Sequence, residues 1–179
     1  MTHTPGGWRL RLIRWMHLWP PLLGAGIRVS RMDGDLRAVD VEMRLRRWNR
    51  NIMGTHFGGS LYAMTDPFYM LMLMENLGRE YVVWDKAATI RYKRPGVGKV
   101  KAEFRLTGEQ IDEVRRVLET EERFEPVFRV DVKDEQGNVI AEVEKTIYCA
   151  RREVHAARRA RAVVPSEVER KSGGNTINE

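Results

Sequence analysis

The chain has 179 residues, of which 42% are hydrophobic and 31% are charged, and its formal net charge is +6. This composition predicts one globular domain with short tails and excludes a largely disordered chain. The lone Cys149 excludes an intramolecular disulfide and a thiolate metal cage, and the four histidines do not have ligand spacing, so no metal site is expected.

No segment predicts export or membrane insertion. The longest apolar stretch, 67–74, is far shorter than the roughly 20 residues that span a bilayer. Because no secretory signal is recognisable either, we expect a cytoplasmic protein. Arginines are concentrated in the first 50 residues and again over 151–161, and such basic surfaces favour anionic partners.

Residues 1–24 are predicted to form an amphipathic helix over 8–19 and a proline-rich connector. Four large apolar residues share one stripe at helical spacing: Trp8, Leu12, Trp15 and Trp19. Pro20 and Pro21 are expected to end this helix. The stripe suits packing onto the domain or a partner subunit, and it also suits a membrane surface. We favour packing, because the segment is short.

Two strands are predicted to follow as a hairpin, because an Asp-Gly pair separates the runs 27–32 and 36–45. In the second run apolar and polar residues alternate, which indicates a strand with one buried face. The pattern then breaks into a loop over 48–59. An almost uniformly apolar, methionine-rich segment over 60–78 predicts a long buried helix.

Further strands are predicted over 81–94, 99–106, 124–133 and 138–148, with a helix over 109–122. Residues 25–149 therefore predict an α+β domain in which an antiparallel sheet of about six strands surrounds one long central helix. Residues 150–179 are expected to form a basic tail that begins as a helix and ends in disorder. An uncovered sheet edge favours a homodimer or a dimer of dimers.

The segment Asn51–Asp66 reads NIMGTHFGGSLYAMTD, with an asparagine, a glycine pair and an acid further along the helix. With the order of elements from Pro20 to Tyr148, it resembles the hot-dog superfamily, above all PaaI-type acyl-CoA thioesterases and hot-dog domains of unknown function of the GTHFGGSLY type. The resemblance implies a hot-dog fold and an acyl-thioester ligand. In the thioesterases a histidine directly precedes the glycine pair, whereas here Phe57 has that place.

By this resemblance Asp66 matches the helix carboxylate that acts as base or nucleophile, and Gly59 offers a backbone N–H for the thioester oxyanion. Asp66 also precedes Pro67, as an N-cap residue would, so a purely structural role stays open. Asn51 and His56 complete the predicted catalytic set. The alternatives are that Asn51 stabilises its own loop and that His56 lies on the surface.

Substrate binding is assigned to five further residues: Gly58, Thr55, Arg91, Lys93 and Arg94. A glycine lets the backbone approach a ligand closely, and the basic side chains suit the phosphates of coenzyme A. Alternating charges are also routine on a solvated strand face, which is the alternative for the basic residues. Coenzyme A enters as part of the substrate, and no other cofactor is expected.

Two functions follow from these observations. The first is hydrolysis of an acyl-CoA-type thioester, and the alternative is a hot-dog protein that binds an acyl group or coenzyme A without catalysis. A nucleic-acid or membrane-surface binder that uses the arginine-rich ends ranks last, and nucleic acid is not expected as a partner. The reason is that aromatic residues are not interleaved with arginines beyond the first helix.

Overall fold

The computed structural model of the chain describes residues 15–163. The strands are β1 (Ile27–Met32), β2 (Ala38–Arg44), β3 (Tyr81–Tyr92), β4 (Lys99–Arg105), β5 (Val127–Asp134) and β6 (Val139–Arg151). The helices are α1 (Pro20–Ala25), α2 (Gly58–Ala63), α3 (Phe68–Leu77), α4 (Gly108–Thr120) and α5 (Arg152–Val163). A short 3-10 turn at Met16–Leu18 precedes α1.

The strands form one antiparallel sheet in the order β1-β2-β4-β5-β6-β3, which confirms the α+β class and the six-stranded sheet. Alternation decides which face is buried: Val100, Ala102 and Phe104 of β4 face the core, and the residues between them do not. Helix α3 lies on this buried face. The rings of Phe68 and Tyr69 lie 4.9 and 5.2 Å from that of Phe104, measured between centroids.

The prediction of one long central helix is wrong, because the segment is interrupted over residues 64–67 and forms two helices, α2 and α3. Pro67 accounts for the break. Its ring has no N–H to bond the Ala63 carbonyl, and in a continuous helix it would collide with that carbonyl. The Thr65 N–H instead bonds the Tyr62 carbonyl at 2.8 Å, which closes a tighter turn. The residue before the proline is left outside both helices.

The short 3-10 turn ends at Leu18, just before Pro20 and Pro21, and the two prolines also begin α1. Proline is well suited to the first turn, where its missing N–H has no intrahelical partner in any case and its fixed φ matches the helix. Gly26, with φ of 75°, ends α1 in the left-handed conformation that favours glycine. The predicted helix over 8–19 is tested only in part, because residues 1–14 lie outside the described range.

The two stripe residues in the described range do not pack onto the domain as we expected. Trp15 and Trp19 are 63% and 52% exposed, whereas Met16 and Leu22 are buried against the core. The cause is that α1 begins at the prolines, which turns leucine rather than tryptophan inward. Packing of the exposed tryptophans against a partner subunit stays a prediction.

Strand β3 lies at one end of the sheet and, within residues 15–163, pairs only with β6. None of its twelve residues is buried. Its register shifts between Asp85 and Ala87, so that Asp85, Ala88, Ile90 and Tyr92 all point toward the helices. A long, unpaired edge of this kind exposes backbone N–H and C=O groups to a further strand.

At the carboxyl end β6 leads directly into α5, which confirms the helix predicted at the start of the basic tail. The disorder predicted over 172–179 lies outside the described residues. No helix within residues 15–163 has the length and apolar character required to cross a membrane.

Candidate active site

The loop between β2 and α2 is held in shape by Asn51. Its side-chain oxygen accepts the backbone N–H groups of Met53 at 2.9 Å and Thr55 at 3.1 Å. Its amide nitrogen donates to the Thr55 hydroxyl at 2.9 Å and to the His56 carbonyl at 3.3 Å. All four hydrogen-bonding positions of the amide are thus used within the loop. Asn51 therefore stabilises its own loop, which was the alternative to a catalytic role. It can orient a ligand only if one of these hydrogen bonds is released.

His56 lies inside the molecule and is only 3% exposed, so the alternative of a surface histidine is wrong. Its Nε2 atom lies 3.1 Å from the Gly98 carbonyl oxygen, and Nε2 therefore carries the proton. Burial lowers the pKa of the imidazole by more than the Gly98 carbonyl raises it. The Nδ1 atom is buried and has no hydrogen-bond partner in the described chain. His56 is consequently a neutral side chain with one unused acceptor.

The glycine pair begins α2 and presents two backbone donors. Phe57 is the N-cap residue and makes no capping bond, and within residues 15–163 the N–H groups of Gly58 and Gly59 have no hydrogen-bond acceptor. A Cβ on Gly58 would lie 3.0 Å from the Tyr92 hydroxyl oxygen. A Cβ on Gly59 would lie 2.5 Å from the ring of Phe57. Both positions therefore favour glycine, and both donors can bond a ligand oxygen.

A pocket of about 460 Å³ opens where this loop meets the end of β3. Its lining includes six residues predicted for the site: Asn51, Thr55, His56, Gly58, Lys93 and Arg94. Tyr92 also lines the pocket and donates its hydroxyl to the Gly58 carbonyl at 3.1 Å, which ties β3 to α2. Arg91 does not line the pocket. It lies opposite Glu142 on the face of the sheet away from the helices, because neighbouring strand residues point to opposite faces.

Asp66 is not the helix cap that its position before proline suggests. The N-cap residue of α3 is Pro67, and no side chain caps this helix. The Oδ1 atom of Asp66 instead accepts a hydrogen bond from the Tyr62 hydroxyl at 2.9 Å and another from Lys145 Nζ at 2.8 Å. The side chain is 46% exposed, so it is less buried than the apolar helix sequence indicated. The carboxylate faces the sheet and the solvent.

Lys145 is the centre of a charged cluster that also contains Asp66, Asp85 and Tyr62. Its side chain is completely buried, and Nζ lies 3.0 Å from Asp85 Oδ1 and 5.4 Å from the centre of the Tyr62 ring. Burial lowers the pKa of Lys145, but its contacts with Asp66 and Asp85 outweigh this effect and raise that pKa overall. Burial raises the pKa of Asp85, and Lys145 opposes this shift only in part. One ammonium thus compensates two carboxylates.

Lys145 and Asp85 were not among the predicted residues, although the sequence contains a signal for the lysine. Inward positions of β6 are apolar, namely Ala141, Val143, Ile147 and Cys149, and Lys145 interrupts this series. A lysine is almost never fully buried unless it is paired, so an inward lysine calls for carboxylates nearby. Asp85 gives no such signal, because the bulge after it changes the alternation of β3.

The predicted site residues form two groups within one protomer. Lys145 is paired with Ala88 in the sheet, whereas Ala141 is paired with Tyr92 at the pocket. Four residues along a strand correspond to about 13 Å, so the Asp66 cluster lies well apart from the pocket. Among the described residues, no three His, Cys, Asp or Glu side chains are arranged to hold a metal ion.

Comparison with known proteins gives a family match and a set of similar folds. The model of a domain of unknown function, DUF4442, matches residues 8–149. No curated protein matches the sequence.

Three crystal structures illustrate the similar folds. A protein of unknown function from Pseudomonas aeruginosa, described as a probable thioesterase, has a TM-score of 0.71 at 21% identity, over 79% of this chain and 95% of that chain. A thioesterase from Haemophilus influenzae has a TM-score of 0.58 at 16% identity, over 79% and 90% of the two chains. A putative thioesterase from Shewanella oneidensis has a TM-score of 0.60 at 17% identity, over 81% of this chain and 99% of that chain. These similarities confirm the resemblance to the hot-dog fold.

Proposed function

This chain belongs to the DUF4442 family, and we propose that it hydrolyses acyl thioesters of the acyl-CoA type. The three similar crystal structures are described as thioesterases or as probable or putative thioesterases, and they support this proposal through the fold alone. The observation that carries it is the position of Asp66. Its half-exposed carboxylate lies at the break between α2 and α3 and accepts a hydrogen bond from the buried Lys145 of the sheet. A carboxylate that is both fixed in direction and open to water can act as a general base.

The chemistry requires a base for water and donors for the oxyanion. In the proposed reaction the thioester lies in the pocket of one protomer, and the base is Asp66 of a second protomer. Asp66 takes a proton from a water molecule as the water oxygen bonds to the thioester carbonyl carbon. The negative charge moves to the carbonyl oxygen, which accepts hydrogen bonds from the free N–H groups of Gly58 and Gly59. The C–S bond then breaks, and the proton passes to the thiolate, so that a carboxylic acid and a thiol are released. Direct attack by Asp66 through an acyl anhydride is the second route open to the same carboxylate.

Both halves of the site come together when two copies pair along β3. In an antiparallel pair related by a two-fold axis, opposed residues share a face of the sheet, and the residue at the axis faces its own copy. An axis at Ala88, with the bulged residue 86 left out of the pairing, sets Tyr92 opposite the partner's Val83, two residues from the partner's Asp85. The pocket of one protomer then lies beside the partner's Asp66 cluster. We therefore include a homodimer in the proposed function, and a dimer of dimers is compatible with it.

Lys93 and Arg94 are the residues that we propose for the phosphates of coenzyme A, since both line the pocket at an exposed edge. Lys93 is also 3.0 Å from Glu142, and Arg94 donates to Asn138 at 3.2 Å. Both contacts are exposed and are therefore weak enough to exchange for phosphate. Coenzyme A is then part of the substrate, and the cytoplasm is the compartment that we propose for the reaction.

One observation favours the alternative, an acyl- or coenzyme-A-binding protein without catalysis. Phe57 has the place that the thioesterases give to histidine, so the catalytic histidine of those enzymes has no counterpart there, and the Phe57 ring packs against Gly59. In this case the pocket would bind the acyl thioester and release it unchanged.

The test is thiol release from a panel of acyl-CoAs of increasing chain length. The proposal expects turnover by the wild type and a loss of at least about a hundredfold in kcat for Asp66→Asn, while circular dichroism shows that the variant is folded. Asp112→Asn, an exposed aspartate on α4, is the matched control and should keep full activity. Equal inertness of wild type and Asp66→Asn, with acyl-CoA binding retained by both, would establish the alternative.

A further inference from the structure

The region around α1 exposes an unusual number of large apolar side chains. Their exposed fractions are 63% for Trp15, 48% for Leu18, 52% for Trp19, 56% for Leu23 and 66% for Trp48. Leu18, Leu23 and Trp48 line one open depression together with Arg28, Arg44 and Arg46. We call these eight residues the N-terminal face. A contiguous apolar patch with a polar rim is the mark of a binding surface rather than of scattered exposure.

The same face includes three arginines of a strongly basic part of the sequence. Residues 1–50 contain ten arginines, no lysine and four acidic residues, so this part alone accounts for the net charge of +6. Arg28, Arg44 and Arg46 are exposed, and none of them forms an ion pair within residues 15–163. Glu42 is the one acidic residue in the lining of the depression. The guanidinium of Arg46 lies 5.4 Å from the centre of the Trp48 ring.

We propose that the N-terminal face binds the surface of an anionic lipid bilayer. Tryptophan prefers the boundary between headgroups and acyl chains, because its ring is apolar and its N–H is polar. Leucines beside it can enter the outer part of the acyl layer, and arginines pair with lipid phosphates. Both kinds of side chain lie on one surface here, which makes the face complementary to this single partner.

Other occupants fit the same surface less well. A second copy seated face to face would place its own arginines against Arg28, Arg44 and Arg46, and like charges repel. Residues 8–14 read WRLRLIR. If this segment covered the N-terminal face, it would bring three more arginines beside Arg28, Arg44 and Arg46, and like charges repel. A polynucleotide would neutralise the arginines but would leave Leu18 and Leu23 exposed to water.

The experiment is cosedimentation of the full-length protein with sucrose-loaded vesicles. Vesicles of phosphatidylglycerol and phosphatidylcholine in equal parts are compared with pure phosphatidylcholine at low salt. We expect binding to the anionic vesicles only, and weaker binding in 0.5 M salt. Arg28→Gln/Arg46→Gln should weaken binding about 30-fold, because each basic residue near such a surface contributes about fivefold. Arg116→Gln, an exposed arginine on α4, is the charge control and should change nothing.

A second pair of variants tests the apolar part. Trp19→Ser/Leu23→Ser should weaken vesicle binding by about tenfold or more, since both side chains are exposed in the free protein and buried only at the bilayer. The matched control is Trp84→Ser, which removes a 44% exposed tryptophan from β3 at the opposite end of the sheet. Circular dichroism and thermal unfolding establish that each variant is folded.

Three results would overturn the proposal. The first is absence of binding to the anionic vesicles at low salt. The second is a change in oligomeric state, rather than in vesicle binding, when Trp19 and Leu23 are replaced, which would make the face an interface between copies. The third is tight binding to duplex DNA that the arginine variants weaken while vesicle binding stays the same. Thioesterase activity is measured separately, so failure of either proposal leaves the other intact.

Discussion

Lys145 on β6 donates a hydrogen bond of 2.8 Å to Asp66, which lies 79 residues earlier in the chain at the break between α2 and α3. The lysine is fully buried and the aspartate half exposed, so the bond runs from the interior of the sheet outward. It fixes the direction of the carboxylate without removing it from solvent. The sheet thus adds a second hydrogen bond to a carboxylate that the Tyr62 hydroxyl on α2 also holds.

Replacement of Lys145 by methionine should destabilise the protein by about 2–4 kcal/mol. Removal of one partner from a buried ion pair leaves uncompensated charge, although the exposure of Asp66 and Asp85 reduces the cost here. Urea unfolding of Lys145→Met against wild type measures the difference. Lys145→Met/Asp85→Asn is the control, and it should recover part of the loss because it removes one unpaired carboxylate. Additive effects of the two changes would contradict direct coupling.

Asp85 should give the protein a distinct pH dependence in acid. Burial raises its pKa in the folded state, so the folded protein binds this proton more tightly than the unfolded chain does. Its contribution is therefore favourable at low pH and is lost as the pH rises from about 3.8 through the folded pKa. Urea unfolding of wild type and Asp85→Asn between pH 3 and 7 measures this contribution. We expect the free energy of unfolding of the wild type, relative to that of the variant, to fall as the pH rises through this range. A difference that does not change with pH would disprove the shift.

Gly58→Ala should impair the pocket more than the fold. The new Cβ would lie 3.0 Å from the Tyr92 hydroxyl oxygen, so the tyrosine must shift and give up its bond to the Gly58 carbonyl. We expect a loss of about 1 kcal/mol in stability and a rise in KM for acyl-CoA. Tyr92→Phe removes only the hydroxyl and should restore much of the stability when combined with Gly58→Ala. No improvement in the double variant would place the strain elsewhere.

Cys149 should be unreactive in the folded protein. Burial raises the pKa of its thiol to about 12, which leaves roughly a thousandfold less thiolate than an ordinary cysteine has near neutral pH. Labelling with a thiol reagent at pH 8 should therefore follow the opening of the sheet. The rate should rise steeply near the urea midpoint, and rapid labelling of the native protein would show that β6 opens locally.

The strands were predictable because period-two alternation states directly which face is buried. The boundaries of β2 and β4 differ from the predicted runs by one or two residues. The helices were harder, since an apolar run such as 60–78 has no periodicity that reveals an interruption. Only Pro67 marks the break, and proline is found at helix starts as well as at helix ends. The same ambiguity applies to Pro20 and Pro21, which follow one helical turn and begin the next helix.

The candidate site was predictable for the residues that are close in sequence. The loop motif brings Asn51, Thr55, His56 and Gly58 to one pocket because they share one turn of chain. The partners of Asp66 come from two strands far along the chain, and one sequence does not state which strands are neighbours. Arg91 was misassigned because it precedes the pocket residue Tyr92 in β3, and neighbouring strand residues point to opposite faces.

The strand order sets β1 and β3 at opposite ends of the sheet, five interstrand spacings or about 24 Å apart. One end carries the N-terminal face and the other carries the unpaired backbone groups. A pair of copies joined at β3 would have its two N-terminal faces on the outside. Such an assembly is bivalent, and attachment at one end would raise the local concentration of the other end at the same charged surface.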